Sequence, residues 1–249
     1  LTSSGVSEIH SFLDIVEKRD DLRVLAFTGE GRDVFIKHYE VGELANTAEK
    51  NLETKKNKQD PKELHAFHTM LLRLRDLNAI VVAGINGNTA GGGCEFSLGC
   101  DLRIMSKGDF LIGLPETSVG ILPGGGGTQR LSRLIGSSRA LDLILHAKLL
   151  TPEEAHNLGI INKLIPVDNF KRELTSYCED LATRAPIALQ QVKKIIHQGM
   201  EMTLEESLLI EQKAFNVTMN SRDAARAMRA LLNTQENIED VSDFKWEGE

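Results

Sequence analysis

Apolar positions in the first half of the chain alternate between two spacings. Ser7–Glu17 carries Ile9, Phe12, Leu13 and Val16, a helical spacing. Leu22–Phe27 is a short apolar run closed by Thr28-Gly29-Glu30-Gly31, which predicts a strand and a turn. Asn46–Asp60 is polar and rich in Lys, Glu and Asn, as a solvated loop or frayed helix would be. Pro61 suits the first turn of a helix running to Asp76, with Leu64, Phe67, Leu71 and Leu74 along one side. Ala79–Ile85 predicts a buried strand and Asp101–Ser106 another. Between them, Thr89–Glu95 is a glycine turn leading into a helix-like Phe96–Gly99. Gly113–Gly127 is loop-rich, with Pro115, Pro123 and four consecutive glycines.

The second half reads as helices over Thr128–Leu134, Ser137–His146, Pro152–Leu158, Val167–Arg184, Pro186–Met200, Leu204–Met219 and Arg222–Leu232. One strand-like piece, Ile160–Ile165, interrupts them. Strands alternating with helices, then helices alone, predict an α/β core followed by a helical C-terminal part.

Composition narrows the picture. A chain of 249 residues suits one large domain, or one domain with an appended subdomain. Its longest apolar stretch, Ala79–Ile85, is far short of the ~20 residues of a spanning helix, so no membrane partner is expected. The net charge of −7 argues against a general nucleic-acid binder, which presents a basic face, but leaves room for an anionic ligand held by a few local donors. Three cysteines without CxxC spacing predict reduced thiols in an intracellular compartment.

Two segments have the residues for chemistry. In Ile80–Glu95 (IVVAGINGNTAGGGCE) a strand feeds a glycine turn that opens a helix. Free amides at a helix N-terminus carry partial positive charge, and small residues let a ligand approach them. Such a corner can oppose a developing oxyanion beside Glu95. It is equally what a tight strand-to-helix turn looks like, with Glu95 complementing the dipole. In Gly113–Glu116 (GLPE), Pro115 fixes the backbone just before Glu116, and Gly124–Gly127 permits close backbone approach. Alone, Glu116 also reads as a surface or capping carboxylate. Taken together, two glutamates beside glycine-rich turns suit acid–base work on one small ligand, because proximity drives their protonation apart.

Other chemistries find less support. No Gly-Lys-Ser/Thr or GxGxxG follows a strand, and no GxSxG elbow exists. His65 and His68 share a helical face, but no carboxylate or cysteine completes a metal set, and no metal site is expected. Cys94 reads as a small buried residue rather than a nucleophile.

NGNTAGGGCE, DLRI, GLPE and GILPGGGGTQRL, in that order, followed by LGIINKLIP, resemble the signature of the crotonase (enoyl-CoA hydratase/isomerase) superfamily over almost the whole chain. The resemblance implies an α/β fold, a spiral of ββα repeats with a helical C-terminal trimerisation region. It divides the chain into a core over residues 1–185 and an oligomerisation region over 186–249. It implies an acyl-CoA substrate and an enzyme of fatty-acid metabolism that adds water to a 2-trans-enoyl-CoA. Glu95 and Glu116 would be the catalytic pair. The amides of Tyr39 and Gly92 would form the oxyanion hole, and His38, Glu40, Val41, Gly91, Pro115 and Gly124 would contact substrate. No cofactor is implied beyond the coenzyme A of the substrate. Ile195, Ile196, Leu208, Leu209, Ile210, Phe215 and Leu231 would include trimer-interface residues, in a homotrimer or a hexamer of two trimers. The implied location is the cytoplasm, with the mitochondrial matrix as the alternative.

This sequence departs from the family pattern in three places. His38 and Tyr39 stand where small residues are usual, and Glu40 replaces the usual Asp. The Glu95–Glu116 spacing is one residue longer, within Ser106–Ile112. A first strand and a basic CoA-contacting segment are expected ahead of Leu1. Sister reactions remain open: isomerisation, thioester hydrolysis and decarboxylation. So does a catalytically silent RNA- or protein-binding module, although the two glutamates and the acidic balance favour an enzyme that takes no nucleic acid.

Overall fold

The computed structural model describes residues 1–54, 62–233 and 244–249. Pro61 and the end of the polar stretch, 55–60, lie outside the described residues. The chain folds as two compact units, one of residues 1–19, 26–75 and 81–174 and the other of 20–25, 76–80 and 175–249.

The first unit opens on α1 (Ser3–Val16), capped by the Thr2 side chain on the Gly5 amide. Val6, Leu13 and Val16 form its buried stripe. The strands β1 (Val24–Thr28), β2 (Ile80–Ile85), β4 (Leu102–Lys107) and β7 (Lys163–Pro166) lie in one sheet in the order β1-β2-β4-β7. β2 and β4 are parallel, with Val82 opposite Leu102, and β4 and β7 are parallel, with Ile104 opposite Lys163. Every residue of β2 is buried, as a parallel strand covered on both faces requires.

A second, smaller sheet escapes any reading of periodicity. It joins β3 (Thr89–Ala90), β5 (Ile112–Gly113) and β6 (Leu149–Leu150), two residues each. β3 and β5 run parallel and β5 and β6 antiparallel. Two-residue strands are too short to show alternation, so the sequence presents them as turn and loop.

Two helices differ from expectation. α2 (Val41–Glu53) occupies much of the stretch expected to be loop or frayed helix. It buries no residue, so it has no apolar stripe to read, and the Glu40 side chain caps it by accepting the Gly42 amide. α3 starts at Ala66 and ends at Asp76. The His65 ring nitrogen accepts the Phe67 amide at that start.

After β3 come α4 (Gly92–Leu98), a 3-10 turn (Glu116–Val119), α5 (Gly127–Ile135), α6 (Ser137–Leu145) and α7 (Pro152–Asn157). Arg103 is buried, and its guanidinium donates to the carbonyls of Ile160 at 2.7 Å and Cys100 at 2.9 Å. α8 (Phe170–Ala182) carries the chain on to the second unit.

The second unit is built on α9 (Pro186–Gly199), α10 (Leu204–Met219) and α11 (Arg222–Asn233), with α9 packed against α10. Residues 244–249 fold back beside α11. The buried Asp223 carboxylate accepts the amides of Glu247 and Gly248, and Arg226 lies over the Phe244 ring.

Candidate active site

The first unit's chain paths bring the expected residues together. Residues 33–37 run alongside 88–90. Phe35 donates to the Asn88 carbonyl, Ala90 to the Lys37 carbonyl, and the Thr89 hydroxyl to the Ile36 carbonyl, at 2.9–3.1 Å. This pairing delivers Tyr39 to the start of α4. A Cβ added at Gly92 would lie 2.9 Å from Tyr39 Cβ and 3.1 Å from Tyr39 N, so only glycine admits this approach. Among the described residues no hydrogen bond takes the amide of Tyr39 or of Gly92.

The second sheet brings in Glu116. Thr89 pairs with Ile112 and Ala90 with Gly113, and the Gly91 amide donates to the Gly113 carbonyl at 2.9 Å. Ahead of β5, Gly108 turns the chain at φ 154°. Glu116 therefore stays beside the glycine corner: a Cβ at Gly91 would lie 3.1 Å from Glu116 Oε1 and 3.9 Å from His38 Cβ. Gly91 itself sits at φ 51°, a conformation that favours glycine.

Glu95 is 4% exposed, in the first turn of α4. Its Oε1 accepts the amides of Gly125 at 2.7 Å and Gly127 at 2.8 Å. A Cβ at Gly125 would come 2.5 Å from Glu95 Oε2 and 2.5 Å from Phe67 Cε1, so the glycine run is shaped around this carboxylate. Burial pushes the Glu95 carboxyl up, while the amides of Gly127 and Gly125 and the Arg130 charge pull it back. Arg130 also donates to the Gly125 carbonyl at 3.3 Å.

Glu116 is held differently. Burial pushes its carboxyl up to about 7, and the Glu95 charge adds to the rise. Its Oε2 is buried with no hydrogen-bond partner among the described residues. Two carboxyls that feel one another titrate as a pair, and the one without donors is the better proton holder.

The remaining expected contacts divide. Pro115 leads directly into the 3-10 turn that starts at Glu116. His38 stands at the Gly91 side, its Nδ1 2.7 Å from the Tyr39 carbonyl. A carbonyl only accepts, so Nδ1 carries the proton in that bond. The Glu40 carboxylate is engaged at the start of α2, and Val41 and Gly124 are exposed. The amides of Gly125 and Gly127, and the side chains of Arg130 and Phe67, belong to the site but were not singled out by sequence. Their pairing with Glu95 spans 28 residues or more, and only the glycine run hinted at it.

Cys94 is buried, its thiol is pushed up chiefly by burial, and it lines a small apolar cavity with Leu114, Leu131 and Leu150. That is the environment of a packing residue. Among the described residues no group of His, Cys, Asp and Glu is arranged to hold a metal ion, and no helix is long and apolar enough to cross a membrane.

The enoyl-CoA hydratase/isomerase family model matches residues 1–240. The chain belongs to this family, within the crotonase superfamily. Its sequence is 30% identical over 232 residues to the short-chain-enoyl-CoA hydratase of Clostridium acetobutylicum, covering 93% of this chain and 85% of that protein. It is 28% identical over 245 residues to the 2,3-dehydroadipyl-CoA hydratase of Escherichia coli K12, covering 98% and 89%. A crystal structure of enoyl-CoA hydratase from Bacillus anthracis superposes with a TM-score of 0.85 at 28% identity, over 100% of this chain and 90% of that one. The crotonase fold expected from the family's motifs is therefore the fold found, and the chain is an enzyme of the hydratase or isomerase kind that acts on acyl-CoA.

Proposed function

We propose that this chain is an enoyl-CoA hydratase that adds water reversibly, and syn, across the double bond of a 2-trans-enoyl-CoA. The observation that carries the reading is a buried Glu95 carboxyl and a half-buried Glu116 carboxyl in unequal surroundings beside one glycine corner. Glu95 has two backbone donors on Oε1, and Glu116 has a buried oxygen with none.

The roles follow from those surroundings. The thioester oxygen sits between the amides of Tyr39 and Gly92, which oppose the charge it gains as an enolate. Glu95, whose two amide donors and Arg130 favour its charged form against the upward push of burial, accepts a proton from water as the water oxygen bonds to C3. Glu116, protonated near neutrality, gives its proton to C2. Exchange with solvent then returns a proton to Glu116 and removes one from Glu95, so the net change is one water added. Two carboxyls favour hydration over isomerisation, for which one can suffice. No cofactor takes part beyond the coenzyme A that the substrate carries.

The C-terminal region, 186–249, is proposed as the oligomerisation region of a homotrimer or a hexamer of two trimers. Its exposed Ile196, Leu208, Leu209 and Phe215 support that assignment. The cytoplasm is the proposed location.

The test is loss of conjugated-enoyl absorbance from short 2-enoyl-CoA thioesters, with Glu95→Gln and Glu116→Gln as controls. Turnover by the parent chain and a fall of about 10²–10⁴ in each variant support the reading. Turnover unchanged in either variant removes its catalytic role.

A further inference from the structure

Arg130 closes the glycine turn that holds Glu95. Its main-chain amide donates to the Gly126 carbonyl at 2.9 Å, in the first turn of α5, and its guanidinium reaches back to the Gly125 carbonyl at 3.3 Å. Gly126 sits at φ 102°, and a Cβ added there would overlap Arg130 Nη1. The turn thus lacks a side chain at the point the guanidinium covers. The amides on either side of that point, Gly125 and Gly127, are the two that donate to Glu95 Oε1.

Charge follows the same geometry. Arg130 is half-buried on α5. Arg75 on α3 and Arg133 on α5 repel it, while Glu95 and Cys100 on the α4 side favour its charge. The His68 ring of α3 lies beside the turn as well, its Cδ2 3.9 Å from a Cβ added at Gly126. A half-buried cation near two others is a costly brace for a loop, and the carboxylate that offsets the cost is Glu95. Seen from Glu95, Arg130 is the cation that opposes burial, and Glu116 is the like charge across the pair.

We infer that Arg130 is a positioning residue, which clamps the Gly125–Gly127 turn so that both amides face Glu95 and keeps Glu95 the proton acceptor of the pair. The inference rests on the hydratase reading above and adds to it the residue that sets the order of the two carboxyls.

The test follows the Glu95 carboxyl by carbon-13 NMR in chains labelled at the glutamate carboxyls, its resonance identified by its loss in Glu95→Gln. Arg130→Met keeps most of the stem but neither the charge nor the donors. It should raise the pH at which Glu95 titrates by at least about half a pH unit, at the low end of what a nearby opposite charge supplies. Arg130→Lys, which keeps the charge, should stay closer to the parent than to Arg130→Met. With 2-butenoyl-CoA, kcat should fall at least about tenfold in Arg130→Met while KM stays within about threefold. The acid limb of kcat/KM should rise with the NMR titration. An unmoved Glu95 titration in a folded Arg130→Met overturns the inference, as does an equal shift in Arg130→Lys. Should Arg130→Met fail to fold, Arg130→Gln decides on the same terms. The titration needs no turnover. A parent chain that hydrates nothing, while Arg130→Met still moves Glu95, sinks the hydratase reading and leaves the clamp standing.

Discussion

Glu95 Oε1 accepts the Gly127 amide at 2.8 Å across 32 residues of sequence, at the point where α5 begins. The bond joins one catalytic candidate to the backbone of the other glycine-rich segment, with the Gly125 amide as its second donor. It gives the carboxylate a fixed direction and favours its charged form. Glu95→Gln can keep a carbonyl oxygen in this bracket, so the fold should survive. Hydration should fall by about 10²–10⁴ while the circular dichroism spectrum stays that of the parent. A spectrum of an unfolded chain would make the loss uninformative and the bracket essential to folding.

Gly125→Ala probes the bracket from the other side. The new Cβ would lie 2.5 Å from both Glu95 Oε2 and Phe67 Cε1, neither free to move without cost. Overpacking of this kind costs about 1–3 kcal/mol in stability. The variant should show a lower denaturant midpoint together with a kcat reduced at least tenfold, on the scale of a misplaced catalytic group. Parent-like kcat would mean that Glu95 is not held where its role requires.

The pH profile reports on Glu116. Its carboxyl is pushed up to about 7, and it donates a proton in the proposed reaction. The kcat/KM should therefore fall as pH rises through about 7, and Glu116→Gln should lose that limb along with most activity. Stability has the matching sign. The unfolded glutamate titrates near 4.5, so the folded state binds more protons between 4.5 and about 7. The contribution is fully present below 4.5 and is lost as pH climbs through 7. Denaturant midpoints of the parent should decline over that window relative to Glu116→Gln, and parallel curves would contradict the raised value.

Much of this arrangement was legible in the chain itself, and the limits have physical causes. The buried strand at Ile80–Ile85 and the helix Leu204–Met219 announce themselves by long apolar patterns, and both are found. α2 has no buried face, and β3, β5 and β6 are too short for any period. The glycines of both motifs predicted close backbone approach, which Gly92 to Tyr39 and Gly125 to Glu95 make concrete. Which atoms would meet there was not legible, because it depends on two strands pairing across 23 residues and on a hydroxyl relay from Ser3 to Tyr39.

Cys94 offers a control. Its thiol is buried and faces apolar neighbours, so it should not react with iodoacetamide in the folded protein. Cys94→Ala should keep hydration within about threefold, on the footing of a buried residue without a chemical role. Loss of activity by orders of magnitude, with the fold intact, would give the thiol a part in the reaction.

Assembly is read by light scattering. The homotrimer or hexamer proposed above would give a mass of three or six chains in solution, and the exposed apolar side chains of α9 and α10 support an assembly. A monomer at micromolar concentration would remove the oligomerisation role from residues 186–249.

The central claim is that water is added, not merely that a double bond is moved. The most direct measurement incubates the purified chain with 2-butenoyl-CoA in water labelled with heavy oxygen and weighs the product by mass spectrometry. The account predicts a gain of one labelled water, with the heavy oxygen on C3. A product of unchanged mass with its double bond shifted would contradict it.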